Sequence, residues 1–127
     1  MNKLRNAPGW DSEKLEELAN EIYQWLVSNR MWVDVQIYYD GKCMKTNDGN
    51  NFRYNGEPFI TEDVDPREYF EYVADPHILS MSFEGTLYDI LNYNSGSSLE
   101  TDFINLFNEY GLYYEMGHMW NLTCYPL

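Results

Sequence analysis

The stretch FINLFNEYGLYYEMGHMWNLTCY, residues 103–125, combines a helix end, a tight turn and a β-hairpin. Apolar side chains recur at helical spacing within it and just before it, at Leu99, Phe103, Leu106, Phe107 and Tyr110. Gly111 favours the left-handed conformation that ends many helices, and Leu112 begins the alternating pattern of a strand. The stretch therefore predicts a helix packed on a C-terminal hairpin whose turn lies at residues 116–118.

Two segments nearer the N-terminus have equally clear periodicity. A helix is predicted to begin at Asp11 or Ser12, because the apolar residues that follow form one stripe, at Leu15, Leu18, Ile22, Trp25 and Leu26. From residue 33 the period changes to two, which predicts a half-buried strand. Asp40-Gly41 is a strong signal for the two-residue turn of a hairpin.

The middle of the chain has weaker signals. Residues 52–54 are predicted to form a short strand. Asp65-Pro66 is a typical helix start, with aspartate as the cap and proline at the first helical position, and it predicts a short helix through Val73. Residues 78–83 predict a central strand, because large apolar side chains alternate with serines.

The order of these elements defines the expected fold. A brief helix is predicted to end near Tyr93, and a capping box of Ser97 and Glu100 begins the last helix. Hairpins at both ends of the chain favour the α+β class. We predict a single domain with an antiparallel or mixed sheet of about five strands, helices packed mainly on one face, and a C-terminal β-hairpin.

Length and composition support one domain. The chain has 127 residues, of which 44% are hydrophobic and 17% aromatic, so it can bury a core without disulfides or a metal. Residues 1–10 are predicted to be a flexible lead-in, and residues 11–127 the α+β domain. Cys43 and Cys124 are expected to be buried free thiols, with one disulfide between strands as the alternative.

The formal net charge is -13, and its distribution is uneven. Residues 57–127 hold a single basic residue, Arg67, against thirteen acidic ones. Most of these carboxylates are expected to face water and to attract a basic partner. Direct binding to nucleic acid is disfavoured, because a phosphate backbone requires Lys and Arg on the contacting surface.

Membrane association and targeting are not indicated. Lys3 and Arg5 lie near the N-terminus, but no apolar run of signal-peptide length follows them. No segment approaches the length of a membrane span. The sequence therefore predicts a cytoplasmic chain with no membrane contact.

Candidate catalytic groups are few. The chain has two histidines, His77 and His118, and Cys124 follows His118 closely enough to form a Cys–His pair across a hairpin, although strand packing accounts for both. The acidic loop at residues 62–71 offers oxygen ligands, but its spacing does not match a calcium-binding loop. We therefore assign no catalytic residue, no metal and no cofactor. The alternative is a small metal-dependent or hydrolytic enzyme that uses loop 62–71.

Several tyrosines lie beside carboxylates on the polar side of their segments, as in many protein-recognition surfaces. The predicted partner-binding residues are Glu62, Asp63, Asp65, Glu68, Tyr69, Glu71, Tyr72, Asp75, Asp89 and Tyr93. The expected partner is a basic protein that itself binds nucleic acid, since carboxylates can occupy positions meant for phosphates and tyrosines can lie where bases stack.

In size and charge the chain resembles the small acidic proteins that block CRISPR effectors or restriction enzymes, and the immunity proteins that neutralise nuclease toxins. The resemblance is one of general character and involves no shared motif. It implies a binding inhibitor that acts as a nucleic-acid mimic. A third interpretation is a non-catalytic structural or regulatory subunit, in which the acidic surface provides solubility alone.

Overall fold

Residues 4–127 are described by the computed structural model. Within them the chain forms three α-helices, six β-strands and one 3-10 helix, Pro66–Glu68. In chain order the helices and strands are α1 (Ser12–Ser28), β1 (Val35–Tyr39), β2 (Lys42–Lys45), β3 (Phe59–Thr61), β4 (Ser80–Phe83), α2 (Thr86–Tyr93), α3 (Ser98–Glu109), β5 (Leu112–His118) and β6 (Asn121–Pro126).

The strands form one sheet in the order β3-β2-β1-β4-β6-β5, and every neighbouring pair is antiparallel. Tyr38 lies opposite Cys43 on one side and Ser80 on the other, and Ser80 lies opposite Thr123. The α+β class and the C-terminal hairpin β5–β6 are confirmed. The sheet has six strands, one more than predicted, because residues 59–61 extend its edge.

The helices pack on one face of the sheet and enclose the main core. Asp11 caps α1, as predicted, by accepting a hydrogen bond from the Lys14 backbone N–H at 2.9 Å. Ser97 caps α3 in the same way. Side chains that are fully buried in this core include Leu15, Ile22, Ile37, Met81, Phe103 and Phe107.

The opposite face of the sheet is covered by the acidic segment, residues 62–77. Phe70 is buried against Tyr38 and Cys43 in a second, smaller cluster, which Val64 and Val73 extend. Next to this cluster His77, Ser80 and Thr123 are joined by buried hydrogen bonds. The His77 Nε2 and Ser80 Oγ atoms lie 2.8 Å apart, as do Ser80 Oγ and Thr123 Oγ1.

This covering explains why the predicted helix at residues 65–73 is wrong. Asp65 does cap a helix start, but only the 3-10 helix Pro66–Glu68 forms. After this 3-10 helix the Phe70 ring packs on the sheet, against Tyr38 and Cys43. The Tyr72 carbonyl then accepts a hydrogen bond from Thr123 Oγ1 at 3.3 Å. Burying that ring determines the conformation more strongly than local helix propensity does.

Two further predictions need correction. Residues 52–54 form only an isolated bridge, between Phe52 and Asn47, and no strand. The pairing does not continue, because the next bond along the chain, from the Asn55 N–H, goes to the Trp32 carbonyl. The last hairpin turns at residues 119–120 instead of residues 116–118, because Asn121 Oδ1 accepts a hydrogen bond from the His118 N–H at 2.7 Å.

The segment that was predicted to be a flexible lead-in contacts the rest of the domain from Arg5 onward. The His77 backbone exchanges hydrogen bonds with this segment, donating to the Arg5 carbonyl and accepting from the Ala7 N–H. Ala7 and Trp10 are buried in the main core. Residues 5–10 are thus packed on the domain, whereas the first three residues of the lead-in lie outside the described part.

Candidate protein-binding surface

Six rings form a continuous row on the sheet face opposite the helices. Tyr38 contacts Tyr69 and Phe70, with ring centroids 5.7 Å and 5.1 Å apart. Phe70 contacts Trp120 at 5.8 Å, and the row continues to the imidazole of His118. We call this set the aromatic strip; its members are Tyr38, Tyr69, Phe70, Trp120, His118 and Tyr72.

The strip is buried on its inner side and exposed on its outer side. Tyr38 and Phe70 are anchored in the second cluster, and burial raises the pKa of the Tyr38 hydroxyl far above its usual value. Tyr69 is 56% exposed, Tyr72 60% and Trp120 37%. Large aromatic side chains that pack on the protein on one side and are exposed to solvent on the other are common anchors of protein–protein interfaces.

The tip of the last hairpin joins the strip to α2. Met119 follows His118 in the turn, its carbonyl accepts a hydrogen bond from Asn92 Nδ2 at 2.8 Å, and its sulfur lies 3.9 Å from the Tyr88 hydroxyl. Tyr88 in turn contacts the exposed Tyr93, with ring centroids 6.0 Å apart. The exposed aromatic surface therefore continues around the hairpin tip onto the helical side.

Acidic side chains border this surface. Of the predicted partner-binding residues, all but the half-buried Asp65 are exposed. Glu68 and Glu71 flank Tyr69 and Phe70, and Asp89 lies on α2. Glu71 is close to the strip itself, since its Oε2 atom is 3.8 Å from His118 Nε2.

Two of the predicted carboxylates are already paired with arginines of the chain. Asp65 caps the 3-10 helix and binds the Arg67 guanidinium, with Oδ2 and Nη2 2.7 Å apart. Hydrogen bonds from Arg67 lower the pKa of the Asp65 carboxyl. Asp75 lies 3.9 Å from the guanidinium of Arg5. These two residues are thus less suited to binding a partner than Glu68 and Glu71 are.

The loop at residues 62–66 lines a separate cleft of about 420 Å³. Glu62, Asp63 and Asp65 face it together with Asp40 and the buried His77. Burial lowers the pKa of His77 to about 4. Among residues 4–127, no group of three or more His, Cys, Asp or Glu side chains is arranged to hold a metal ion.

The Cys–His pair considered from the sequence does not form. Cys124 is fully buried in the main core on the helical side, and burial raises the pKa of its thiol well above the usual value. His118 is exposed and stacks on Trp120 on the opposite face. Cys43 belongs to the second cluster, so both cysteines are buried and free, as expected.

Most of the described basic side chains lie outside the segments that form the aromatic strip, although Arg67 precedes Tyr69 in the acidic segment and Lys45 lies opposite Gln36. Lys42 and Lys45 are on β2, and the Arg53 guanidinium lies 4.0 Å from the centre of the Phe59 ring on β3, at the far edge of the sheet. Residues 68–127, which include β4 to β6 and the last two helices, contain no Lys or Arg. Five of the six members of the strip, all but Tyr38, therefore belong to a part of the chain without Lys or Arg.

Sequence reasoning found part of this surface. Tyr69, Tyr72, Glu68 and Glu71 were predicted to contact a partner, and the structure brings their segment onto one face. Trp120 and His118 were missed because the predicted turn lay too early. The neighbouring aromatics in the motif REYFEY, residues 67–72, were the available signal for Phe70.

The fold and the surface define an acidic α+β domain with one exposed aromatic face. No protein-family model, no curated protein and no solved structure matches the chain. Among residues 4–127, none of the helices combines the length and apolar character that crossing a membrane requires.

Proposed function

We propose that this chain is a small cytoplasmic inhibitor that docks on a basic nucleic-acid-binding protein and excludes its DNA or RNA. One observation carries the proposal: an exposed aromatic strip lies beside exposed carboxylates in a half of the chain that has no Lys or Arg after Arg67. The chain then acts by binding, with no catalytic residue, metal or cofactor, as a nucleic-acid mimic of the anti-CRISPR, anti-restriction or nuclease-immunity type.

The chemistry of the surface matches that of a basic groove. Grooves that hold nucleic acid combine Lys and Arg, which contact phosphates, with aromatic or planar side chains, on which bases stack. Glu68 and Glu71 present carboxylates to the Lys and Arg side chains of such a groove. Its aromatic or planar side chains can stack on the rings of Tyr69, Tyr72 and Trp120. Long-range attraction between the opposite charges would accelerate the encounter and make it sensitive to salt.

The proposal is tested by competition with nucleic acid. The chain is immobilised and exposed to host lysate at low salt, and captured proteins are eluted with duplex DNA, with RNA, or with sodium chloride of the same ionic strength. We expect a basic protein to be released by nucleic acid at concentrations at which the salt control releases little.

The captured protein is then purified and bound to its own fluorescent nucleic acid. Addition of the chain should displace the labelled nucleic acid competitively, so that the apparent dissociation constant of the nucleic acid rises in proportion to the concentration of the chain. Simultaneous binding of both ligands, or capture that is indifferent to nucleic acid, would overturn the proposal.

A further inference from the structure

A narrow groove of about 290 Å³ lies beside the aromatic strip, where β1 begins and β4 ends. Its floor is formed by Gln36 and Ser82, which face each other across the two strands. Four aromatic residues of the strip also line it, Tyr38, Tyr69, Phe70 and Trp120. The volume lies at the lower end of the range for small-molecule pockets and suits a single long side chain.

Two carboxylates lie in this groove, and the backbone holds their positions. Asp34 precedes β1 and Glu84 follows β4, and the Glu84 N–H donates to the Asp34 carbonyl at 3.1 Å. A Cβ atom at Gly85 would lie 2.5 Å from the Val33 carbonyl oxygen, so glycine is required for the strands to approach this closely. Asp34 Oδ1 also accepts a hydrogen bond from the Tyr54 hydroxyl at 2.9 Å.

The charged groups of the groove are the carboxylates of Asp34 and Glu84. The described residues that line it include no Lys or Arg. Gln36 Oε1 already accepts a hydrogen bond from the Tyr38 hydroxyl. Carboxylates and aromatic faces together favour a cationic, hydrogen-bond-donating ligand over an anion or a purely apolar group.

We propose that this groove binds an arginine side chain of the basic partner, an inference that rests on the function proposed above. A guanidinium is planar, stacks on aromatic faces, carries five donors and is more weakly hydrated than an ammonium. Tyr69 and Trp120 line the groove and offer the rings on which the plane would stack, and Asp34 and Glu84 offer the carboxylates to which its donors would bind. A lysine side chain would provide the charge without the planar contact.

The inference is tested on the isolated chain, without the partner. The ¹⁵N-labelled protein is titrated with N-acetyl-arginine amide and followed by NMR. We expect a dissociation constant on the order of 1 mM. The changes in chemical shift should be confined to the Trp120 indole N–H and the backbone amides of Asp34, Ser82 and Glu84. N-acetyl-citrulline amide has nearly the same shape but no charge, and its affinity should be lower by a factor of about ten or more.

Matched variants locate the site. The double variant Asp34→Asn, Glu84→Gln should weaken arginine amide binding about ten-fold, since it removes both charges with little change in shape. Asparagine also tolerates the positive φ of 53° at position 34. The control Glu62→Gln, Asp63→Asn removes the same charge from the separate cleft and should leave binding unchanged. Equal binding of citrulline amide, or shifts centred on the control cleft, would overturn the inference.

Failure of the groove and failure of the proposed function are distinguishable. If no basic partner exists, the arginine titration still reports whether the groove selects a guanidinium. If a partner is displaced by nucleic acid but the Asp34→Asn, Glu84→Gln variant binds that partner with unchanged affinity, the inhibitor proposal stands and the arginine inference is wrong.

Discussion

The indole ring of Trp120 stacks on the imidazole ring of His118, with centroids 5.5 Å apart and planes inclined by 10°. Both residues belong to the tip of the last hairpin, and His118 also contacts Tyr72, with ring centroids 6.2 Å apart. Trp120 continues in the other direction to Phe70. The hairpin tip therefore joins the two ends of the exposed aromatic strip, although it is distant in sequence from the acidic segment.

This position makes Trp120 the expected energetic centre of the interface. Trp120→Ala should weaken partner binding by about 2 kcal/mol or more, the range of a binding hot spot. The effect on the free energy of unfolding should be smaller, because the side chain is 37% exposed. Isothermal titration calorimetry with the captured partner measures the loss of binding free energy. Urea denaturation measures the change in the free energy of unfolding.

Phe52→Ala provides the matched control for this prediction. Phe52 is an aromatic residue that is 60% exposed, but it lies in the connection between β2 and β3, beside Tyr54, and is not a member of the strip. Its removal should leave partner binding unchanged. An equal loss of affinity in both variants would mean that the strip has no special role.

The acidic border of the strip can be tested by charge reversal. The double variant Glu68→Lys, Glu71→Lys should bind the partner at least ten-fold more weakly at low salt, and the difference should shrink as salt is added. Asp75 is left intact because it already contacts Arg5. Both affinities can be measured by fluorescence anisotropy between 50 and 500 mM sodium chloride, that is, from a Debye length of about 14 Å to about 4 Å.

The control for charge reversal is Asp102→Lys, Glu109→Lys. These two exposed residues lie on α3, on the helical side, and their substitution changes the net charge by the same amount. If the control loses as much affinity as the Glu68→Lys, Glu71→Lys variant, binding responds to net charge alone and the acidic border is not the contact surface.

Local signals predicted the three α-helices and the first hairpin well. Asp11 and Ser97 act as caps at the predicted positions, and the Asp40-Gly41 turn has both residues at positive φ, 50° and 72°. Such features depend on neighbouring residues, so one segment of sequence contains all the information they need. The α+β class followed from their order.

The acidic segment was predicted less well because its conformation depends on distant contacts. Phe70 packs on Tyr38 of β1, and the Tyr72 carbonyl bonds to Thr123 of β6, so neither contact leaves a local pattern. The last turn was misplaced for a related reason. Gly117 resembles a turn residue, yet it lies within β5, where an added Cβ would come 2.9 Å from the Asn121 side chain.

Substitution of Phe107 tests the packing of the main core. Its ring is fully buried and contacts Phe103 and Tyr114, with centroids 5.0 Å and 5.3 Å apart. Phe107→Ala should lower the free energy of unfolding by about 3–5 kcal/mol, because it leaves a cavity between α3 and the hairpin. Urea denaturation monitored by circular dichroism measures this value. A loss below about 1 kcal/mol would contradict the burial of the ring.

The two cysteines should be inert in the folded protein. Cys43 and Cys124 belong to separate clusters on opposite faces of the sheet, so they cannot form an intramolecular disulfide without unfolding. Burial raises the pKa of Cys43 to about 11 and that of Cys124 well above its usual value, which leaves little thiolate at pH 8. Mass spectrometry after iodoacetamide treatment should show no labelling in buffer and two labels in urea. Rapid labelling in buffer would show that a thiol is accessible.

His77 should make the stability depend on pH in a defined range. Burial lowers its pKa to about 4 in the folded protein, whereas an unfolded chain has a histidine pKa of about 6.5. Below pH 6.5 the unfolded state therefore binds more protons than the folded state, and stability decreases as the pH falls toward 4. Between pH 7 and pH 5 the expected loss from this residue is about 2 kcal/mol.

The variant His77→Gln isolates this contribution, because glutamine can still bond to Ser80 at the position of Nε2 but cannot take up a proton in this range. The variant is expected to be less stable than the wild type at pH 7, yet its unfolding free energy should fall by about 2 kcal/mol less between pH 7 and pH 5. The carboxylates titrate in both proteins, so their contribution to the pH dependence cancels when the variant is compared with the wild type. If both proteins lose the same stability over this interval, His77 is not the group that carries the pH dependence.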